Sequence, residues 1–191
     1  MLAAQAVRAS ELFRDCTIED EAVDDICSFL LKSRRNIVLC GMPSSGKTTL
    51  GKELAARLGM DFEDTDQIIR REAGMEIPEI FSLEGEQGFR ERESRAVAAV
   101  ALRGGTVIAT GGGAVLREAN VRALRRSGIV CFLDRPLELL QPTGDRPLSR
   151  SRAALEELYS TRRPAYLAAA DVVIENGGSI DSAVERIMSS L

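Results

Sequence analysis

The stretch "NIVLCGMPSSGKTTLGKELAARLG", residues 36–59, decides how this chain folds. Its opening, "NIVLCG" (36–41), is a short apolar run ending at glycine, the signature of a parallel strand buried on both faces. Its close, "TTLGKELAARLG" (48–59), has helical spacing and stops at Gly59, which predicts a glycine C-terminal cap. Between them "GMPSSGKT", Gly41 to Thr48, fits G-x-x-x-x-G-K-[ST] in the strand-to-helix setting that the motif needs. Gly41 and Gly46 permit backbone angles that turn successive N–H groups toward one point, and the following helix aims its positive end there. Lys47 would neutralise the β- and γ-phosphates of a nucleoside triphosphate, and the Thr48 hydroxyl would join a Mg²⁺ shell. The loop says nothing about what accepts a phosphate.

Outward from this loop, strand-like runs recur at 106–113, 129–135 and 170–176. Helical patterns fill the gaps at roughly 66–73, 84–102, 117–127, 151–169 and 179–189. Alternation of this kind predicts an α/β fold with a parallel sheet covered on both faces. Of the 191 residues, 45% are apolar and 28% charged, as in ordinary globular proteins. The net charge of −4 argues against a nucleic-acid partner, and the absence of an apolar run of 18 residues argues against a membrane one. There is no histidine, which removes Ser-His-Asp and Cys-His catalysis and histidine metal ligands together. The four scattered cysteines form no C-x-x-C pair and read as free thiols of a reducing, cytoplasmic compartment.

Candidates for the acceptor side lie further along. In "DFEDTDQ" (61–67) a short strand would leave Asp64 and Asp66 on the same side of an extended chain. One carboxylate could then hold metal-bound water and the other an acceptor hydroxyl; a solvated acidic turn capping the next helix is the plainer alternative. In "EGEQGFRERES" (84–94), Arg90 follows Phe89 and lies one helical turn from Glu86 and Glu93, so i, i+3/i+4 pairs would hold it rigid. A held guanidinium suits a carboxylate, to which it donates two parallel hydrogen bonds. Three glycines, Gly111 to Gly113, end the strand-like run at 106–113 and cost backbone entropy, which close approach of a ligand would justify. The polar stretch "PTGDRPLSRSR" (142–152) has the composition of a lid, from which Arg146 would reach the transferring phosphate. In "STRRPAY" (160–166), Arg162 and Arg163 come late in a helix, where a solvated face explains them equally well.

Taken together, "GMPSSGKTT", "DTD", "EIF…GEQGFRERE", "TGGGAV", "RPL" and "RRPAY" stand in an order that resembles the shikimate kinase family from about Ile37 onward. The resemblance implies a three-layer P-loop kinase fold, a five-stranded parallel sheet of order 2-3-1-4-5 with lid and substrate-binding helices. It implies transfer of the ATP γ-phosphate to the 3-hydroxyl of shikimate, with Mg²⁺, in the cytoplasm. By the same resemblance Gly41, Ser44, Ser45, Gly46, Lys47, Thr48, Thr49 and Arg146 would contact ATP. Asp66 would hold the acceptor hydroxyl, with Lys47 and Arg146 beside it in catalysis, while Thr48 and Asp64 would face the metal. Arg90 and Arg162 would grip the shikimate carboxylate, Gly111, Gly112 and Gly113 would touch the substrate through backbone, Glu93 would orient Arg90, and Phe81 and Phe89 would wall the pocket. Arg162 fits R-x-P-x-Y better than its neighbour Arg163. The lid departs from the pattern: Pro142 stands where many relatives carry an arginine, and only Gly144 and Asp145 separate Thr143 from Arg146.

Residues 1–35 form a separate N-terminal extension ahead of a kinase domain at 36–191. Within it "TIEDEAVDDICSFLLKS" (17–33) reads as an amphipathic helix opened by Thr17 and Asp20. "MLAAQAVRASELF" (1–13) resembles the last helix of shikimate dehydrogenase, a family in which the glutamine matching Gln5 contacts shikimate. That resemblance implies a fused or associated dehydrogenase, or descent from such a fusion. Two other functions fit the phosphate loop as well: another small-molecule P-loop kinase, acting on gluconate or a nucleoside monophosphate, and a nucleotide- or shikimate-binding module without catalysis.

Overall fold

The computed structural model describes residues 35–141 and 151–191. The helices expected at 1–13 and 17–33, and the lid with Pro142, Thr143 and Arg146, lie outside the described residues. Asn36–Leu191 forms one compact unit. Its strands are β1 (Asn36–Cys40), β2 (Asp61–Asp64), β3 (Thr106–Ala109), β4 (Gly128–Asp134) and β5 (Val172–Glu175), and its helices are α1 (Lys47–Leu58), α2 (Thr65–Ala73), α3 (Ile77–Ala101), α4 (Glu118–Ser127), α5 (Arg152–Ala169) and α6 (Ile180–Met188). The strands are all parallel, in the order β2-β3-β1-β4-β5.

β1 is central and fully buried, which is why residues 37–40 run continuously apolar instead of alternating. Its side chains still divide by pleat. Val38 and Cys40 join Ile108, Val130 and Phe132 on the face covered by α2 to α5, where Ile69, Val97, Leu124 and Tyr166 pack. Ile37 and Leu39 join Val107, Cys131, Leu133 and Ile174 on the face covered by α1 and α6, with Leu50, Leu54, Val184 and Ile187. Cys40 and Cys131 are free thiols on opposite faces, and burial pushes both up to about 12, so neither ionises near neutral pH. Leu54→Ala opens a cavity at a fully buried position and is expected to cost about 2–5 kcal/mol, read as a lowered denaturation midpoint.

Where the elements differ from the sequence reading, the causes are local. The helix expected at 84–102 starts at Ile77, with Pro78 in its first turn and the Glu79 carboxylate accepting from the Glu76 N–H at 2.8 Å. Gly85, at φ 68 and ψ −175, breaks that helix, so α3 is two helical pieces and the visible pattern begins only after the break. The strand-like run at 106–113 stops at Ala109, and the three glycines form a turn into a short 3₁₀ segment, Ala114–Leu116. No described helix is long and apolar enough to cross a membrane.

Candidate active site

The phosphate-binding loop leaves β1 at Gly41 and delivers Lys47 as the first residue of α1. Gly59, at φ 64, caps that helix as expected. The Lys47 ammonium is buried and donates to the carbonyls of Gly41 (3.0 Å) and Met42 (2.7 Å) and to Ser45 Oγ (3.3 Å), so it sits inside the loop's curl. Ser45 is fully buried, whereas Thr49 is exposed on the first helical turn. Ser44 takes a left-handed φ of 62, rare for a residue with a Cβ, and its hydroxyl donates to the Gln141 carbonyl at 2.8 Å.

The acidic pair beside this loop corrects the sequence reading. Asp64 and Asp66 do not share one side of an extended chain, because α2 begins at Thr65 and takes Asp66 into its first turn. Asp64 caps that helix: its Oδ1 accepts from the Asp66 N–H at 2.9 Å, and its Oδ2 accepts from Thr48 Oγ1 at 2.7 Å. Asp64 is therefore both the helix cap and the carboxylate next to the loop threonine, and the same turn lifts Asp66 toward the glycine run. The capping half of the plainer alternative holds for Asp64, but both carboxylates are buried and not solvated.

Four charged side chains converge on the glycines. A methyl added at Gly111 would stand 2.6 Å from Asp66 Oδ1 and 2.7 Å from Glu93 Oε1. One added at Gly112 would stand 3.2 Å from Pro43 of the phosphate-binding loop and 3.6 Å from Arg162 Nη1. At Gly113 it would fall 2.1 Å from Arg90 Nη1. The lack of side chains at 111–113 is thus what lets two carboxylates and two guanidiniums meet. The turn is held by Thr65 Oγ1, which accepts from the Gly111 N–H at 2.9 Å, and by the Tyr166 hydroxyl, which donates to the Gly112 carbonyl.

Arg90 is held as its spacing predicts, donating to Glu93 at 2.7 Å and to Glu86 at 3.2 Å. Its Cζ lies 5.4 Å from the Phe89 ring centre, and that ring packs 4.6 Å from Phe81. Arg117 donates to the Arg90 carbonyl at 3.1 Å, tying the helix backbone as well. Burial works against the Arg90 charge, but Glu93 and then Glu86 outweigh it, so the guanidinium pKa is raised. Burial pushes the Glu93 carboxyl up against the pull of Arg90, with Asp66 adding in the same direction as burial. The 2.7 Å contact favours the ionised pairing at neutral pH. Of the two adjacent arginines, Arg162 is buried beside the glycines, while Arg163 pairs with Asp134 at 2.7 Å outside the cluster.

The cluster brings together two forked cations, the Asp66 and Glu93 carboxylates, and a glycine backbone. The sequence profile of the shikimate kinase family matches residues 43–191. The chain belongs to the shikimate kinase family. The shikimate kinase of Symbiobacterium thermophilum is 44% identical over 170 residues, spanning 82% of this chain and 95% of that one. The shikimate kinase of Acinetobacter baumannii, solved in complex with shikimate, superposes with a TM-score of 0.79 at 38% identity, covering 85% of this chain and 96% of the other. A gluconokinase from Sinorhizobium meliloti superposes at a TM-score of 0.52 and 15% identity, which is likeness of fold alone.

For a shikimate kinase, three residues around the cluster carry weight that the sequence reading did not assign. Thr65 and Tyr166 hold the glycine turn, and Arg117 anchors the Arg90 backbone. Tyr166 was within reach, because it closes the R-x-P-x-Y motif; Thr65 and Arg117 act through contacts between elements and leave no local pattern. Gly113→Ala tests the convergence: at φ −105 the backbone tolerates alanine, and the nearest atoms a methyl would meet are all of the Arg90 guanidinium. Moving that guanidinium is expected to raise the shikimate KM about tenfold or more and leave the ATP KM unchanged.

Proposed function

We propose that this chain transfers the γ-phosphoryl group of ATP to the 3-hydroxyl of shikimate, giving shikimate 3-phosphate and ADP. The observation that carries the reading is the meeting of Asp66, Glu93, Arg90 and Arg162 on Gly111–Gly113, beside the phosphate-binding loop. Shikimate has a carboxylate at one end of its ring and hydroxyls at the other. Arg90 and Arg162 bind and orient the carboxylate, and Glu93, paired with Arg90, fixes that guanidinium's direction. Asp66 faces the hydroxyl end, accepting a hydrogen bond from the 3-hydroxyl and taking its proton as the oxygen bonds to phosphorus and the bond to ADP breaks. Phe81 and Phe89 wall the site and exclude water.

The loop from Gly41 to Thr49 binds the triphosphate, with Lys47 leaving its own loop's carbonyls for the phosphate oxygens. Arg146, outside the described residues, would add charge there. The Thr48 hydroxyl and the Asp64 carboxylate, in contact at 2.7 Å, are hard oxygen donors of the type that suits Mg²⁺. They would hold that ion, which when bound with ATP supplies neutralisation of phosphate charge. Phosphorus NMR of the product tests the regiochemistry: coupling to the proton on the 3-carbon is expected, and a product phosphorylated elsewhere, or on gluconate or a nucleoside monophosphate instead, contradicts the proposal.

Residues 1–35 enter this proposal as a remnant or fused end of shikimate dehydrogenase, on sequence resemblance alone. A dehydrogenase reading frame running in register into the Met1 codon supports that. A stop codon there with no such frame contradicts the fused version.

A further inference from the structure

Asn176 follows β5 directly and is buried at 4% exposure. Its side-chain Nδ2 donates to the Ser45 carbonyl of the phosphate-binding loop at 2.6 Å, across 131 residues of chain. Its own backbone is fixed apart from the loop. Its N–H donates to the Asp134 carbonyl at 3.0 Å, continuing the β4–β5 ladder, and its carbonyl accepts from Arg135 Nη1 at 3.3 Å. The donor therefore stands on the sheet, and the loop is what it positions.

The Ser45–Gly46 peptide is trans and planar, so its C=O and N–H point in opposite directions. Drawing the Ser45 oxygen toward Asn176 turns the Gly46 N–H away from Asn176. Gly46 adopts a left-handed φ of 87 as α1 begins, so this peptide could otherwise flip at small cost. A methyl at Gly46 would lie 3.8 Å from Nδ2, which shows how closely Asn176 borders the peptide.

We propose that Asn176 is a positioning residue for nucleotide phosphates, holding the Ser45–Gly46 peptide in the orientation that presents the Gly46 N–H to them. The inference rests on the kinase reading above and deepens its phosphate site. It acts through the loop, so it bears on nucleotide and leaves shikimate alone.

The test uses the full chain and calorimetric titration with ADP and, separately, shikimate, alongside thermal melting. Asn176→Asp keeps the shape and replaces the donor by an acceptor, and Asn176→Ala removes both. ADP affinity is expected to fall about tenfold in Asn176→Ala and further in Asn176→Asp, with shikimate affinity unchanged; Asn176→Ser, which keeps a donor, falls between wild type and Asn176→Ala. If the Asp substitution unfolds the chain, Asn176→Ala decides alone. Unchanged ADP affinity in Asn176→Ala overturns the proposal, as does an equal loss of ADP and shikimate affinity tracking a lower melting temperature. Wild-type chain that binds shikimate but no ADP overturns the phosphate site itself, a failure distinct from that of Asn176.

Discussion

Asp66→Ala is expected to lower kcat by about 10²–10⁴-fold while ATP binding stays nearly intact. Asp66 is buried in the first turn of α2, on the acceptor side of the cluster, with Oδ1 directed at the Gly111 position. The proposed phosphate cradle draws on other residues: the loop's backbone, Lys47 and the Thr48–Asp64 pair. On the proposed assignment, removing Asp66 deprives the attacking hydroxyl of its acceptor and leaves the nucleotide's partners in place. Asp66→Asn sharpens the result, since it keeps the shape and loses basicity. Turnover in either variant equal to wild type would take Asp66 out of the mechanism.

Arg90→Lys is expected to raise the shikimate KM about 10- to 100-fold with little change in the ATP KM. Lysine keeps the charge but not the fork that meets a carboxylate with two parallel bonds. The same result is expected of Arg162→Lys, because both guanidiniums border the glycine turn. Arg90→Ala adds a stability effect, because it leaves Glu93 buried without its cation. Burial already raises the Glu93 pKa, and loss of Arg90 raises it further. A raised carboxyl binds its proton more tightly folded than unfolded, so this variant's stability is present at low pH and is lost as pH rises through the raised value. A melting temperature that instead climbs with pH across that range would contradict the pairing. Equal rises in the shikimate and ATP KM would contradict the assignment of Arg90 to the acceptor.

The sheet was legible because its signals are local. The apolar run at 36–40, Gly59 after a helical pattern and the strand–helix alternation each lie within one window, and the five-stranded order came from the family resemblance. Arg90 was legible for the same reason, since Glu86 and Glu93 are one helical turn away. The acidic pair was misjudged because Asp64 has two partners, one local and one distant. Its helix-capping bonds to α2 decide the local backbone, and its bond to Thr48 comes from another element. The break at Gly85 hid the first piece of α3 by resetting the helical phase. Adjacent Arg162 and Arg163 look alike in sequence; burial by the glycine turn and pairing with Asp134 separate them only in three dimensions. Asn176, Thr65 and Arg117 hold neighbours far along the chain, and no spacing announces such contacts.

The central claim is that the loop at Gly41–Thr48 and the charged cluster on Gly111–Gly113 serve one reaction. ADP release by the purified chain with Mg²⁺ and ATP, measured with and without shikimate, tests it most directly. Release that depends strongly on shikimate, and not on gluconate or a nucleoside monophosphate, is the predicted result. ATP binding without any shikimate-dependent release would contradict it.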